Sequence, residues 1–201
     1  GKKYFLLYGE NQGHKNEIIK KKFSAEYSEN IFHYEENEVI KNEEGFFNNI
    51  LTRSFFENHK LIIISQVTEK ILSIIEEIIE KKIDELTIIL NANILEKKSK
   101  LRNFFEKNKE TICIPFYADN NQTLIQIINK FFRENKIPIS QQAMNLIVER
   151  SRGDRQNLNG ELQKIKNFIK DKKKIEIQDL LKLTNLAENY NVSELIDSCL
   201  A

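Results

Sequence analysis

LTRSFFENHKLIIISQ, residues 51–66, places a helical pattern directly before a short apolar run. The run Leu61–Ile64 predicts a buried strand, because it is short, β-branched and bounded by polar residues. Phe55 and Phe56 end the helical pattern, where a chain usually turns back at the surface, and Leu51 and Ser54 lie one turn earlier. An exposed aromatic pair costs solubility unless a partner covers it. The pair is therefore a candidate binding element, and packing of both rings inside the domain is the alternative.

The same strand signal occurs four more times in the first 115 residues. The further apolar runs are Tyr4–Tyr8, Ile31–Tyr34, Leu86–Leu90 and Thr111–Pro115. The segments between them show helical spacing, most clearly at Ile71, Ile74, Ile75, Ile78 and Ile79. Near-continuous apolar strands that alternate with helices indicate a parallel sheet covered on both faces. With right-handed crossovers, this pattern predicts a doubly wound α/β domain.

The strand signals stop near residue 120, and amphipathic helices follow. The spacing predicts helices over Gln122–Glu134, Ser140–Arg150 with Ser140 as the N-cap, Asn157–Lys170 and Gln178–Thr184. We therefore predict an α/β domain over residues 1–120 and a small helical lid domain over 121–188. Another helical pattern begins near Ser193, and we interpret the chain as lacking a C-terminal part.

The turn after the first predicted strand lies where a phosphate-binding loop would be. It contains Gly9, Gly13 and Lys15. A phosphate-binding P-loop has the pattern GxxxxGK[ST], in which glycines allow close backbone approach and the lysine meets the phosphates. Here the glycines are one residue too close, His14 precedes the lysine, and Asn16 stands where a hydroxyl is needed. We interpret the segment as a degenerate nucleotide loop that does not bind, with Gly9 at the corner of a strand-to-helix turn.

The second requirement of an ATPase, an acidic pair after the third strand, is also missing. That strand ends in Ser65-Gln66, and neither side chain is ionised. The fourth strand ends in Asn91, which is acceptable as a polar sensor but has no meaning alone. We therefore expect no ATP hydrolysis by this chain and predict no catalytic residue. No cofactor and no metal site are predicted, since no metal-ligand spacing occurs among the histidines.

Arg155 is the one candidate functional residue in the helical region. It follows Gly153-Asp154 at a predicted helix start. From there an arginine could reach a phosphate bound to the first domain. Because no phosphate site is expected, we interpret Arg155 as an interdomain residue that caps the helix start and orients the two domains.

The composition excludes several classes of protein. The formal net charge is +1, so there is no overall basic excess to drive nucleic-acid binding, although lysine runs occur at residues 20–22 and 172–174. No apolar run approaches the roughly 20 residues of a membrane span. Only two cysteines occur, far apart in the sequence, which favours a reducing, cytoplasmic location. We expect no membrane partner.

Four stretches of the chain carry a resemblance to a known family: FLLYGEN (5–11), SFFENHKLIIIS (54–65), ILNANILEKKSKLRNFF (89–105) and SRGDRQNLNGELQKI (151–165). Each motif is weak alone, but their order, their spacing and the loss of both nucleotide motifs make the set specific. Together they resemble the delta subunit of the bacterial DNA polymerase III clamp loader, and the match runs from Lys3 to about Leu195. The family's Ser-Leu-Phe motif corresponds to Ser54-Phe55-Phe56, and its usual glycine is Glu57.

The resemblance implies a degenerate AAA+ domain, a helical lid and a C-terminal collar, and it implies that residues 189–201 are the start of a truncated collar. It implies a non-catalytic subunit of a DNA-directed DNA polymerase (nucleotidyltransferase) holoenzyme that binds and opens the sliding clamp during DNA replication. Phe56 would be the wedge in an apolar pocket of the clamp (the beta subunit), Phe55 its neighbour, and Leu51 and Ser54 supporting contacts. The implied partners are the clamp, the gamma/tau and delta-prime subunits through the collar, and primer-template DNA within the replisome at the nucleoid.

Three alternatives stay open from the residues. The chain could be an active AAA+ ATPase with an unusual loop, or a DNA-binding module that uses its lysine clusters. It could also be a scaffold subunit of a replication complex similar to delta-prime. The delta-prime family typically carries cysteine zinc ligands and a Ser-Arg-Cys motif, and neither occurs in this sequence.

Overall fold

The computed structural model describes residues 3–24, 27, 30–51, 59–168 and 178–183. The chain divides into two compact units, Gly1–Ala118 and Asp119–Ala201. The division falls two residues before the domain boundary expected from the sequence, at the point where the strands give way to helices. The expected third domain, residues 189–201, lies outside the described residues.

The first unit is built on a five-stranded, all-parallel sheet with the strand order β2-β3-β4-β1-β5. This confirms the predicted α/β parallel-sheet fold. The strands lie where the five apolar runs predict them, with small extensions: β1 Tyr4–Tyr8, β2 Ile31–Glu35, β3 Lys60–Val67, β4 Leu86–Ala92 and β5 Thr111–Pro115.

The helices of the first unit fill the connections between strands. In the part of this unit that the structure describes, the α-helices with defined bounds are α1 Gln12–Ile18, α2 Glu36–Lys41, α3 Glu43–Leu51, α4 Leu72–Glu80 and α5 Lys100–Lys107. α1 follows β1 and continues as a π-helical turn over Ile19–Ser24. A 3₁₀ turn, Glu69–Ile71, leads into α4.

Each sheet face buries its own apolar cluster, because successive strand residues point to opposite faces. One face carries Ile62 and Leu90 and packs against α2 to α5. The other face carries Leu7 and Ile89 and packs against the end of α1 and the turn after it. β4 is buried along its whole length, as expected for a strand covered on both faces.

The second unit is helical in its described residues. It contains α6 Asn121–Glu134, α7 Gln141–Ser151 and α8 Arg155–Phe168, followed by a short helical stretch at 178–183. The predicted Ser140 cap is present, since its Oγ accepts a hydrogen bond from Ala143 N at 3.2 Å. The helices share one apolar core that includes Leu124, Ile147 and Leu162.

Within the described residues, none of the helices is both long enough and apolar enough to cross a membrane.

Candidate functional site

The turn after β1 is a close-packed corner that only glycine can occupy. Gly9 has φ +124°, and a Cβ added there would lie 2.2 Å from the carbonyl oxygen of Phe116. Its N–H donates to Asn93 O at 3.1 Å, and Asn11 N donates to Phe116 O at 3.2 Å. The turn is therefore held between the segments that follow β4 and β5, at the carboxyl edge of the sheet.

Asn11 joins this turn to the start of α1. Its side-chain oxygen accepts from His14 N at 3.1 Å, and its side-chain nitrogen donates to Tyr117 O at 3.0 Å. Its carbonyl accepts from Lys15 N at 3.1 Å, and Gln12 N donates to Glu10 O at 2.9 Å. These contacts consume backbone N–H groups that a phosphate-binding loop would direct at its ligand.

Lys15 is fully buried below this turn. Its Nζ donates to Gly9 O at 2.8 Å and to Ala92 O at 2.6 Å. Burial away from water disfavours the charged form and lowers the pKa of the Lys15 amine to about 8. The lysine therefore fastens the end of β1 to the end of β4. The third residue of the predicted loop, Gly13, is buried in the first turn of α1.

The ends of β3 and β4 complete this edge of the sheet. Ser65 and Asn91 are paired in the register of the two strands, and Gln66 has a left-handed φ of 55° at an irregularity in β3. Asn91 is 6% exposed, and its side-chain oxygen accepts no hydrogen bond from the described part of the chain. Among the described residues, no group of three or more His, Cys, Asp and Glu side chains is placed to hold a metal ion.

A buried carboxylate that sequence analysis did not single out lies at the ends of β2 and β3. Glu36 is 4% exposed, and its two oxygens accept from Thr68 N at 2.7 Å and from Thr68 Oγ1 at 2.8 Å. Its position at the carboxyl end of a strand was the available signal. The carboxylate caps the turn after β3, and its described contacts give it a structural role.

Arg155 makes a buried ion pair within the helical unit. Its Nε lies 2.7 Å from Asp119 Oδ2 and its Nη2 lies 2.5 Å from Asp119 Oδ1, and the two side chains are 10% and 6% exposed. The helix cap itself comes from Asp154, whose Oδ1 accepts from Asn157 N at 3.0 Å. Arg155 therefore anchors the first residue of the unit to the start of α8, and its predicted interdomain role stays a prediction.

The predicted clamp-binding residues lie at the end of α3 and beyond it. Ser54, Phe55 and Phe56 lie outside the described residues, so their roles remain predictions. Leu51 is the last residue of α3 and is 51% exposed, whereas Ile50 beside it is 4% exposed. The apolar face of α3 is thus used in the core, and the helix ends with an uncovered leucine next to the Ser54–Phe56 segment.

Comparison with known proteins gives structural neighbours only. No family profile and no curated protein sequence matches the chain. Among solved structures, it is similar to the DNA clamp loader delta protein of Bacillus subtilis, with 18% identity over 90% of this chain and 57% of that one, at a TM-score of 0.55. It is also similar to the Thermotoga maritima RuvB Holliday junction branch migration motor, with 18% identity over 92% of this chain and 61% of that one, at a TM-score of 0.60.

A third neighbour is domain III of the Thermotoga maritima replication initiation protein DnaA. The identity is 12% over 90% of this chain and 82% of that one, at a TM-score of 0.50. This chain spans less than two thirds of the length of the first two neighbours. Identities this low show the fold and nothing finer. The parallel sheet, the helices on both its faces and the helical unit that follows therefore give this chain an AAA+ fold.

Proposed function

We propose that this chain is a clamp-loader subunit of the delta type, which binds and opens the DNA polymerase sliding clamp and hydrolyses no ATP itself. It would act in the cytoplasm as part of a polymerase III holoenzyme, with gamma/tau and delta-prime subunits and primer-template DNA as further partners. The fold likeness to the Bacillus subtilis delta protein supports the class, and the four matching sequence stretches support the choice within it.

The observation that carries the clamp-binding proposal is the exposure of Leu51 at the end of α3. Phe46 and Ile50 turn into the core, whereas Leu51 is half exposed and leads directly into Ser54-Phe55-Phe56. α3 precedes β3, so this end lies toward the amino edge of the sheet, away from the degenerate nucleotide loop at the carboxyl edge. An apolar helix end placed there can enter an apolar pocket of a partner protein.

The energetic part of the proposal rests on two aromatic rings. Burying each ring is worth roughly 1.5–3 kcal/mol before ordering costs. Binding energy opens a ring only if the open ring is bound more tightly than the closed one, because a ligand shifts an equilibrium only by its differential affinity. In this proposal α3 connects the two rings to the body of the domain, since Phe46 and Ile50 anchor that helix in the core.

The proposal that the chain does not hydrolyse ATP is supported at the other edge of the sheet. The N–H groups of Gly9, Asn11 and Gln12 are bonded within the protein, and Lys15 is turned inward onto carbonyl oxygens. Ser65 and Gln66 stand where acidic residues would hold magnesium and polarise a water.

The test is calorimetric titration of this chain with the sliding clamp. The Phe55→Ala/Phe56→Ala double variant removes the proposed wedge. Tyr117→Ala is the matched control, because Tyr117 is an aromatic that is 70% exposed at the carboxyl edge of the sheet. We expect the double variant to lose binding and the Tyr117 variant to bind like the wild type, with unchanged melting temperatures for both.

A folded wild-type chain that does not bind the clamp would refute the proposal. Titration with duplex DNA at two salt concentrations is run beside it. Salt-dependent DNA binding without clamp binding would favour the DNA-binding or scaffold alternative.

A further inference from the structure

The buried amine of Lys15 is the most unusual polar group in the described part of the first unit. A lysine is almost never fully buried without a partner. Lys15 has 0% exposure, and its Nζ donates hydrogen bonds to two backbone carbonyls, Gly9 O and Ala92 O. These carbonyls lie at the ends of the adjacent strands β1 and β4, so the Lys15 side chain joins the two strand ends.

At this edge of the sheet, carbonyl oxygens take the place of the N–H donors that a phosphate group needs. A phosphate-binding loop presents backbone N–H groups, which carry partial positive charge. Here the Gly9 N–H is directed to Asn93 O and the Asn11 N–H to Phe116 O, while the Gly9 carbonyl is directed to the amine. A site lined by carbonyl oxygens attracts an amine or ammonium group and repels a phosphate.

Asn91 adds a second, independent observation of the same polarity. It follows Ile89 by two residues on β4, so its side chain lies on the sheet face that packs against the α1 side of the domain. Its oxygen is buried and accepts no hydrogen bond from the described residues. This buried oxygen stands one residue before the Ala92 acceptor, so the end of β4 carries a further buried acceptor besides the carbonyl that Lys15 contacts.

We propose that the nucleotide position of this AAA+ domain is a primary-amine site that the chain fills with its own Lys15. The side chain takes the place of an external ligand, joins the ends of β1 and β4, and leaves no donor-lined space for a nucleotide phosphate. A ligand that is covalently part of the chain does not dissociate, so this edge of the sheet has one occupied state whether or not nucleotide is present.

This inference is independent of clamp binding. The clamp-binding residues are expected at the end of α3, toward the amino edge of the sheet, whereas Lys15 acts at the carboxyl edge. A chain that fails to bind the clamp could still hold its own amine, and the reverse also applies. The two proposals therefore fail in different experiments.

The test compares wild type, Lys15→Met, Lys15→Ala and the matched control Lys20→Met, whose lysine is exposed in the turn after α1. Melting temperature is measured by circular dichroism at pH 7, and local opening is measured by hydrogen exchange of peptides covering residues 9–15 and 90–94. We expect Lys15→Met to lower the melting temperature by several degrees and to speed exchange in both segments about tenfold, because two buried carbonyls lose their donor. Lys20→Met should change neither.

Added ligands then define the chemical class of the site. For the Lys15→Ala variant, n-propylammonium chloride should restore part of the lost melting temperature, whereas sodium chloride at equal ionic strength should not. ATP with magnesium and inorganic phosphate should leave the wild-type melting temperature and exchange unchanged.

Three results would overturn the inference. They are wild-type exchange rates in both segments of Lys15→Met, no recovery of a folded Lys15→Ala variant by the amine, or stabilisation of the wild type by ATP or phosphate. If Lys15→Ala does not fold, the exchange of Lys15→Met and the ATP titration of the wild type decide the question alone.

Discussion

Breaking the Arg155–Asp119 pair should destabilise the helical unit far more than breaking a surface pair. Two parallel hydrogen bonds join the side chains, and both are at least nine-tenths buried. Replacing one member takes the charge attraction and both hydrogen bonds away from a buried charge, and breaking a buried pair in this way costs about 3–5 kcal/mol. By contrast, the Lys130–Glu134 pair on α6 is 3.8 Å apart with both side chains about two-thirds exposed, and such pairs contribute about 0–1 kcal/mol.

The perturbation is a double-mutant cycle of Arg155→Met, Asp119→Asn and the two together, with Lys130→Met as the matched control. The double variant removes both charges of the pair together, so it should lose less stability than the sum of the single variants, with a coupling energy of about 1–3 kcal/mol. The control should lie within about 0.5 kcal/mol of the wild type.

The assay is urea denaturation followed by circular dichroism, because the chain contains no tryptophan for fluorescence. Hydrogen exchange of peptides covering α7 and α8 localises the effect to the helical unit. If Arg155→Met is as stable as Lys130→Met, the buried pair contributes little, and the argument that it anchors Asp119 to α8 is wrong.

Three more predictions follow from the first unit. Gly9→Ala should cost about 2–4 kcal/mol in urea denaturation, because it combines a strained φ with a contact of 2.2 Å to Phe116 O; an unchanged midpoint would contradict the described turn. Glu36→Ala should cost about 1–2 kcal/mol, because Thr68 N and Thr68 Oγ1 both lose the carboxylate that accepts from them, and Glu36→Gln should recover part of that loss. The pKa of the Lys15 amine is about 8 in the folded chain, below its ordinary value of 10.5. Between these two pH values the unfolded chain therefore binds more protons than the folded chain. The stability of the wild type relative to Lys15→Met should consequently increase as the pH rises from 8 to 10. A difference that is flat over this range would show that the folded-state pKa of the amine is not lowered.

The strands and the helices were predictable because their signals are local. Near-continuous apolar runs such as Leu61–Ile64 occur where both faces of a sheet are covered, and the Ser140 cap stands directly before its helix. The length of β3 was underestimated, since the strand continues past a register irregularity at Gln66. Neither period nor propensity signals such an irregularity in a single sequence.

The site was predictable in part. The sequence predicts that the turn at Gly9 is not a working phosphate loop, because its spacing and residue types differ from the P-loop pattern, and this stays a prediction. It did not indicate where Lys15 goes, since one acceptor, Ala92, is 77 residues away along the chain. The wedge residues Phe55 and Phe56 lie outside the described residues, and the clamp-binding role stays a prediction that rests on the resemblance.

Three features could be read from the sequence alone: the order of strands and helices along the chain, the change to helical structure in the described residues after about residue 120, and the departures from the nucleotide-binding motifs. These follow from patterns a few residues long, which local sterics and burial convert directly into structure. The inward turn of Lys15 onto two strand ends and the pairing of Arg155 with Asp119 depend on the folded arrangement of distant segments. A buried polar group must find a partner wherever the fold brings one, and that partner is chosen by the packing of distant segments.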